Sequence, residues 1–265
     1  MRRLDLLPLG PFFPTASELR RAAECVAPWA LGLPEAEDAP SEWAESGRRL
    51  HFGAELVMQG QGAIETLSRV LSDNDPDADK IEAMLRHVSE LGEKDIACAK
   101  PGNAPFLVEQ GIKWRPGVLE DDAALCERQP GERLRGWFSG TVDLAYVRHD
   151  GVLVIADWKF GPRESVTGEP AKDSCQGFFL ALAFCTALGI TGSSDAVVVA
   201  RFERRMVSED GIEMDAHDIT WGELCQWREV LEGLAGRITS AVDASPKLSA
   251  ACGHCKAKDE CPADQ

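Results

Sequence analysis

The chain has 265 residues, 44% of them apolar and 27% charged, the composition of an ordinary globular protein with ample material for a core. With 44 acidic against 28 basic residues the formal net charge is −16, which argues against a general nucleic-acid-coating protein but leaves room for one confined basic channel. No run approaches the ~18 apolar residues of a membrane span. The opening residues, broken by Asp5 and three prolines with no small-residue cleavage site behind them, do not read as a signal peptide, so a cytoplasmic location is expected.

In chain order, Thr15-Ala16-Ser17-Glu18 reads as a helix start, with Thr15 or Ser17 as the cap and Glu18 in the first turn. The helix it opens carries Cys25 and is expected to run to about residue 33. After an acidic, proline-containing loop, a second helix is expected from about Ser41 or Gly47 to Gly60. It places His51 and Glu55 four residues apart on one face, which taken alone reads as a solvated stripe. Residues 77–91 form a short amphipathic helix with Ile81, Met84, Leu85 and Val88 inward. Residues 106–114 alternate as a strand carrying Glu109, and residues 117–131 read as loop, followed by the Arg133–Arg135 pair as a phosphate contact. Beyond residue 161, residues 172–188 are apolar nearly all round and predict a buried helix, with Gln176 its polar exception. Residues 195–202 are a buried strand, with Arg201, Arg204 and Arg205 a basic cluster beside it. Residues 212–219 are a further strand and 221–242 a long helix.

The most informative stretch is 135–161. Two apolar runs, 140–147 and 152–159, flank His149-Asp150-Gly151 and predict a hairpin with glycine in the left-handed position of a three-residue loop. If Arg148 pairs with Val152, residues whose numbers sum to 300 face each other: Asp143 lies opposite Asp157, and Lys159 opposite Thr141. Val142, Leu144, Tyr146, Val152, Val154, Ala156 and Trp158 then form the other, apolar face. Two carboxylates at a half-buried strand end need a compensating cation. A divalent metal such as Mg²⁺ suits them, because it takes oxygen ligands. Lys159, two residues after Asp157, points to the same side, where an ammonium can position a nucleophile or stabilise charge on a phosphate.

The tail holds a second pattern, Cys252-x2-Cys255-x5-Cys261, three of the nine cysteines within ten residues. In a cytosolic chain such crowding argues for metal more than for disulfides. Tetrathiolate sites suit zinc or iron–sulfur, and spacing alone does not separate them.

The arrangement Gly140-x-x-Asp143, hairpin, Asp157-x-Lys159-x-Gly161 resembles the PD-(D/E)XK nuclease superfamily and, within it, the RecB-like exonucleases, including the iron–sulfur nucleases of CRISPR adaptation and of helicase–nuclease complexes. The resemblance implies an α+β fold, a central mixed sheet with a restriction-endonuclease-like αβββαβ core flanked by helices. Residues 1–100 would be an N-terminal helical region, 101–220 the nuclease core and 221–265 the C-terminal helix and cysteine cluster, all in one compact unit. It implies Mg²⁺ or Mn²⁺ held by Asp143 and Asp157 with His51 and Glu109, and catalysis by Asp143, Asp157, Lys159 and Gln176. Gly47, His51 and Glu55 match the family's G-x3-H-x3-E helix, while Leu180 stands where the family's Q-x3-Y pattern has tyrosine. It further implies that Cys25 joins Cys252, Cys255 and Cys261 on one [4Fe–4S] cluster, although Val26 follows Cys25 where proline is usual. DNA, single-stranded or at its ends, would contact Lys172, Arg201, Arg204 and Arg205, and a recombination, CRISPR or phage protein would be the partner. The alternative class is a non-catalytic DNA- or protein-binding module that keeps the fold.

Overall fold

Alternating apolar residues build a six-stranded sheet, seen in a computed structural model that describes residues 11–30, 42–71, 77–101, 106–117, 122–127, 134–161 and 169–240. The strands are β1 (Phe106–Arg115), β2 (Asp122–Cys126), β3 (Phe138–Val147), β4 (Leu153–Phe160), β5 (Val198–Ser208) and β6 (Gly211–Thr220), in the order β2-β1-β3-β4-β5-β6. Only β4 and β5 run parallel, joined through a helix as parallel neighbours require. The helices are α1 (Leu19–Glu24), α2 (Ala27–Ala30), α3 (Glu42–Met58), α4 (Ala63–Val70), α5 (Ala78–Cys98), α6 (Cys175–Leu188) and α7 (Trp221–Ser240). The fold is therefore the expected α+β arrangement, a mixed sheet layered by helices. No described helix is long and apolar enough to cross a membrane.

Each face of the sheet has its own core. On one, Leu50, Ala54, Ile81, Leu85 and Val88 from α3 and α5 pack on Leu144, Tyr146, Val154, Ala156 and Trp158. On the other, α6, α7 and the N-terminal segment pack on Ile112, Trp114, Phe138, Val142, Ile155 and Phe202. Helix α6 is apolar all round because it lies between sheet and α7. Ser174 Oγ caps it by accepting from Gly177 N at 3.1 Å, and Gly189 ends it in the left-handed region at φ +67°. At Gly177 a Cβ would meet the Phe202 ring at 2.5 Å, so only glycine lets this helix settle on β5.

The hairpin forms in the expected register, with Leu144 opposite Ala156 and Val147 opposite Leu153. Arg148 N donates to Val152 O at 2.9 Å, and Gly151 takes φ +87°. The ladder stops at Leu144–Ala156, one residue short of the carboxylates, so the expected facing of Asp143 with Asp157 and of Thr141 with Lys159 is not made. Below that point Thr15 bridges Ser139 and Phe12 bridges Arg135. Since β1 already occupies the other edge of β3, the N-terminal segment lies along the β4-side edge of β3.

Several boundaries differ from expectation for physical reasons. The first helix breaks at Cys25, which is extended (φ −145°, ψ 116°), and α1 and α2 lie on either side of it. Helix α5 continues seven residues past Leu91 because Asp95 finds buried partners. Strand β2 lies within the stretch read as loop, and α4 within a stretch given no element. Val142 belongs to the α6 core, not to the Leu144–Trp158 face, because the alternation of β3 shifts between them.

Candidate active site

That shift in alternation creates the site. In the β1–β3 ladder Val108 pairs with Leu144 and Gln110 with Val142, while the intervening Glu109 and Asp143 are not paired. Glu109 is the one described non-glycine residue at positive φ, +49°. A left-handed residue of this kind costs on the order of 1–2 kcal/mol and persists only where its surroundings fix it. Here the kink brings the buried Glu109 carboxylate beside Asp143.

Helix α3 supplies the third group. His51 Nδ1 lies 3.6 Å from Asp143 Oδ1 and 3.8 Å from Glu109 Oε1, and its ring meets the Phe160 ring edge-on at 5.1 Å between centroids. One ligand atom from each of His51, Glu109 and Asp143 falls within 4.8 Å of the others. Glu55, one turn on, accepts from Gln59 Nε2 at 3.1 Å and stands outside this trio. Asp143 Oδ2 also accepts Trp158 N–H at 2.7 Å, which ties the site to β4 where the hairpin ladder ends.

Asp157 and Lys159 approach from the α6 side. Asp157 Oδ1 accepts from Lys159 Nζ at 2.9 Å and from Gln176 Nε2 at 3.3 Å. Asp157 thus lies beside the trio rather than within it, near enough for its charge to act on Asp143. Leu180, one turn along from Gln176, is buried and would stand 3.0 Å from a Cβ at Gly140, so its work is packing. Asp157, Lys159 and Gln176 open onto a cleft of about 290 Å³ that is also lined by Ser17, Arg20, Glu169 and Arg204.

The electrostatics favour a cation. Burial, then the charges of Asp157 and Glu109, push the Asp143 carboxyl up to about 7 against the pull of His51 and Lys159. Burial disfavours the charged form of His51, yet the Glu109 and Asp143 carboxylates beside it raise its affinity for a proton overall. Burial acts against the Lys159 ammonium too, but Asp157 outweighs it and holds the ammonium charged. Two carboxylates and an imidazole converging in a half-buried notch are a donor set suited to Mg²⁺ or Mn²⁺.

The expected DNA contacts separate. Strand alternation sends Arg204 to the α6 face, where it lines the cleft and donates to Glu169 O at 2.6 Å. Lys172 is exposed on the turn before α6. Arg201 and Arg205 go to the opposite face, away from the cleft, where carboxylates hold both. Arg205 is 1% exposed, donating to Asp95 at 2.8 Å and Glu203 at 2.6 Å, with its guanidinium 4.9 Å over the Trp158 ring. Arg201 is held by Glu203 at 2.9 Å and Asp218 at 2.7 Å. Nothing local in the sequence announces Asp95, whose partner is 110 residues away, while Glu203 lies two residues from each of its arginines. Cys25 is half-buried, and Cys252, Cys255 and Cys261 lie outside the described residues.

Comparison with known proteins adds the family. No curated protein matches the sequence. A solved structure described as "Crystal structure of SSO0001" is 12% identical, the match covering 82% of this chain and 86% of that one with a TM-score of 0.33, a likeness too slight to support an argument. The model of the PD-(D/E)XK nuclease superfamily matches residues 15–262, a span that holds every group of the site just described. The chain belongs to the PD-(D/E)XK nuclease superfamily.

Proposed function

We propose that this protein is a Mg²⁺- or Mn²⁺-dependent deoxyribonuclease, acting as an exonuclease on single-stranded DNA or DNA ends. The observation that carries the reading is the convergence of His51, Glu109 and Asp143 beside the Asp157–Lys159–Gln176 group at one fork of the sheet. The ion, when bound, supplies positive charge for the phosphate oxygens and makes a neighbouring water more acidic. Asp143, Glu109 and His51 would hold it, with Asp157 beside them. Asp157 also fixes Lys159 as an ammonium directed along the cleft, where it orients the attacking water and stabilises charge on the phosphate. Gln176 braces Asp157 from α6. Arg204 and Lys172 contact the DNA backbone at the cleft.

A [4Fe–4S] cluster on Cys25, Cys252, Cys255 and Cys261 belongs to the same proposal, and a recombination, CRISPR or phage protein is its partner. Its support is that Ala23 O, two residues before Cys25, accepts from Arg237 in the last turns of α7 at 3.4 Å, so Cys25 sits where the chain leaves for the cysteine-rich tail.

Protein purified without oxygen and given Mn²⁺ or Mg²⁺ is expected to cleave end-labelled linear DNA and to spare circular DNA. Asp157→Ala and Lys159→Ala should each lower the rate a hundredfold or more while leaving the fold intact. Wild-type rates in both variants would overturn the site assignment. The second reading, a binding module, draws on the acidic composition and on Leu180, which packs under Gly140 in the place of a polar group. It would be favoured if neither DNA nor RNA were cut in either metal.

A further inference from the structure

The described surface contains a cluster that the site above does not use. Trp137, just before β3, lies under two cations of β1: Lys113 Nζ is 4.6 Å from the ring centroid and the Arg115 guanidinium 4.3 Å. Continuing the pairing of Trp114 with Phe138 by one step sets Trp137 opposite Arg115. Two residues earlier the Arg135 guanidinium stands 4.3 Å over the Phe12 ring, a second cation–aromatic pair at the same end of the sheet. The turn at Gly136, φ +72°, separates Arg135 of one pair from Trp137 of the other in the chain. Arg115 and Arg135 are exposed, and Lys113 and Trp137 half-exposed. Arg115 shares an ion pair with Asp122 at 2.8 Å, and Lys113 has no carboxylate partner among the described residues.

In a chain with net charge −16, Lys113, Arg115 and Arg135 bring three cations to two aromatic rings, with Asp122 set against one of them. Bases stack on aromatic rings and on guanidinium planes, and the cations beside them pair with phosphate. The patch is also continuous with the metal trio. Trp137 stands one residue before β3 and Asp143 lies within it six residues on, and six residues of strand span about 20 Å. We propose that Trp137, with Lys113, Arg115 and the Arg135–Phe12 pair, is a stacking platform that holds single-stranded DNA at a fixed distance from the cleavage centre. The proposal rests on the nuclease reading for its direction, and the occupant is one strand with its bases unstacked. A duplex keeps its bases stacked on each other and offers the ring nothing.

The test is fluorescence anisotropy of the full chain in EDTA, with a fluorescein-labelled oligothymidylate of about twenty nucleotides and a duplex of equal length. Trp137→Ala is expected to weaken oligothymidylate binding about fivefold or more and duplex binding less than about twofold. Trp137→Phe, which keeps a ring, should restore most of the loss and controls for folding. Lys113→Ala and Arg115→Ala should each flatten the dependence of log affinity on log salt by about 0.7 for the single strand. Oligothymidylate binding by Trp137→Ala within twofold of wild type, or an equal loss on both probes, overturns the platform. If the wild type cuts no DNA while Trp137→Ala still loses oligothymidylate, the platform stands and the nuclease reading falls. If the wild type cuts DNA and Trp137→Ala binds as it does, the platform falls alone.

Discussion

Asp143 is the residue on which the site's chemistry turns, because burial and two neighbouring carboxylates make its proton hard to remove until a cation takes its place. Its pKa of about 7 lies far above the ordinary carboxyl value, so the folded chain binds this proton more tightly than the unfolded chain does. Stability from this group is present at low pH and is lost as pH rises from about 4 to about 7. His51, also raised, contributes in the same direction. In EDTA the melting temperature is therefore expected to fall between pH 5 and pH 8. Mn²⁺ should restore it, by an increment that grows with pH. Metal affinity should weaken about tenfold per unit below pH 7, since ligands must shed protons to bind. Asp143→Asn should flatten the pH dependence measured in EDTA, and an unchanged slope in that variant would remove Asp143 as its source. The sequence made much of this residue legible. A three-residue loop fixes which positions of a hairpin align, and Asp157-x-Lys159 fixes which side chains share a face. The kink at Glu109 was not legible, since no local signal predicts a glutamate at φ +49°. It follows from a competition between two cores that the alternation of β1 cannot reveal.

At the scale of elements, the helix-rich face is pinned to the sheet by a buried charge network rather than by apolar contact alone. Arg205 of β5 bridges Glu203 and Asp95 of α5, and Tyr146 donates to Asp95 at 2.8 Å. The same guanidinium lies over Trp158, whose N–H donates to Asp143, so the network also supports the strand that carries the site. Removing one partner of a buried pair leaves the others charged and unmatched, which destabilises by about 3–5 kcal/mol. Arg205→Ala is expected to lower the denaturant midpoint accordingly and to leave the salt dependence of DNA binding as it is in the wild type. A DNA-contacting arginine would do the reverse, with little effect on stability and a shallower salt slope. The sequence grouped Arg201, Arg204 and Arg205 as one basic cluster because neighbouring cations look alike in one dimension. Strand alternation assigns them to two faces, and only Arg204 reaches the cleft. The end of β5 was missed for the same reason: charged residues read as a strand terminus when their buried partners are far away in the chain.

For the whole molecule, the two chain ends are the remaining question of architecture. The segment around Phe12 and Thr15 is already bridged to Arg135 and to Ser139 of β3, and Ala23 is joined to Arg237 near the end of α7. A cluster on Cys25, Cys252, Cys255 and Cys261 would close a loop of more than two hundred residues across that junction. In the chain-entropy account such a cross-link constrains the unfolded chain by about 5 kcal/mol, comparable to the whole stability of many domains. Anaerobically purified protein is expected to be brown, with iron and inorganic sulfide in equal amounts. Cys25→Ser should lose that colour and lower the melting temperature of the entire domain, although Cys25 is remote in sequence from the other three thiols. The metal trio is built by β1, β3 and α3, so Mn²⁺ should still raise the melting temperature of whatever fraction of Cys25→Ser folds. Zinc in place of iron would identify a tetrathiolate zinc site instead. Full iron retention by Cys25→Ser would show that the tail binds its metal without the N-terminal segment, and the clamp between the chain ends would then be ruled out.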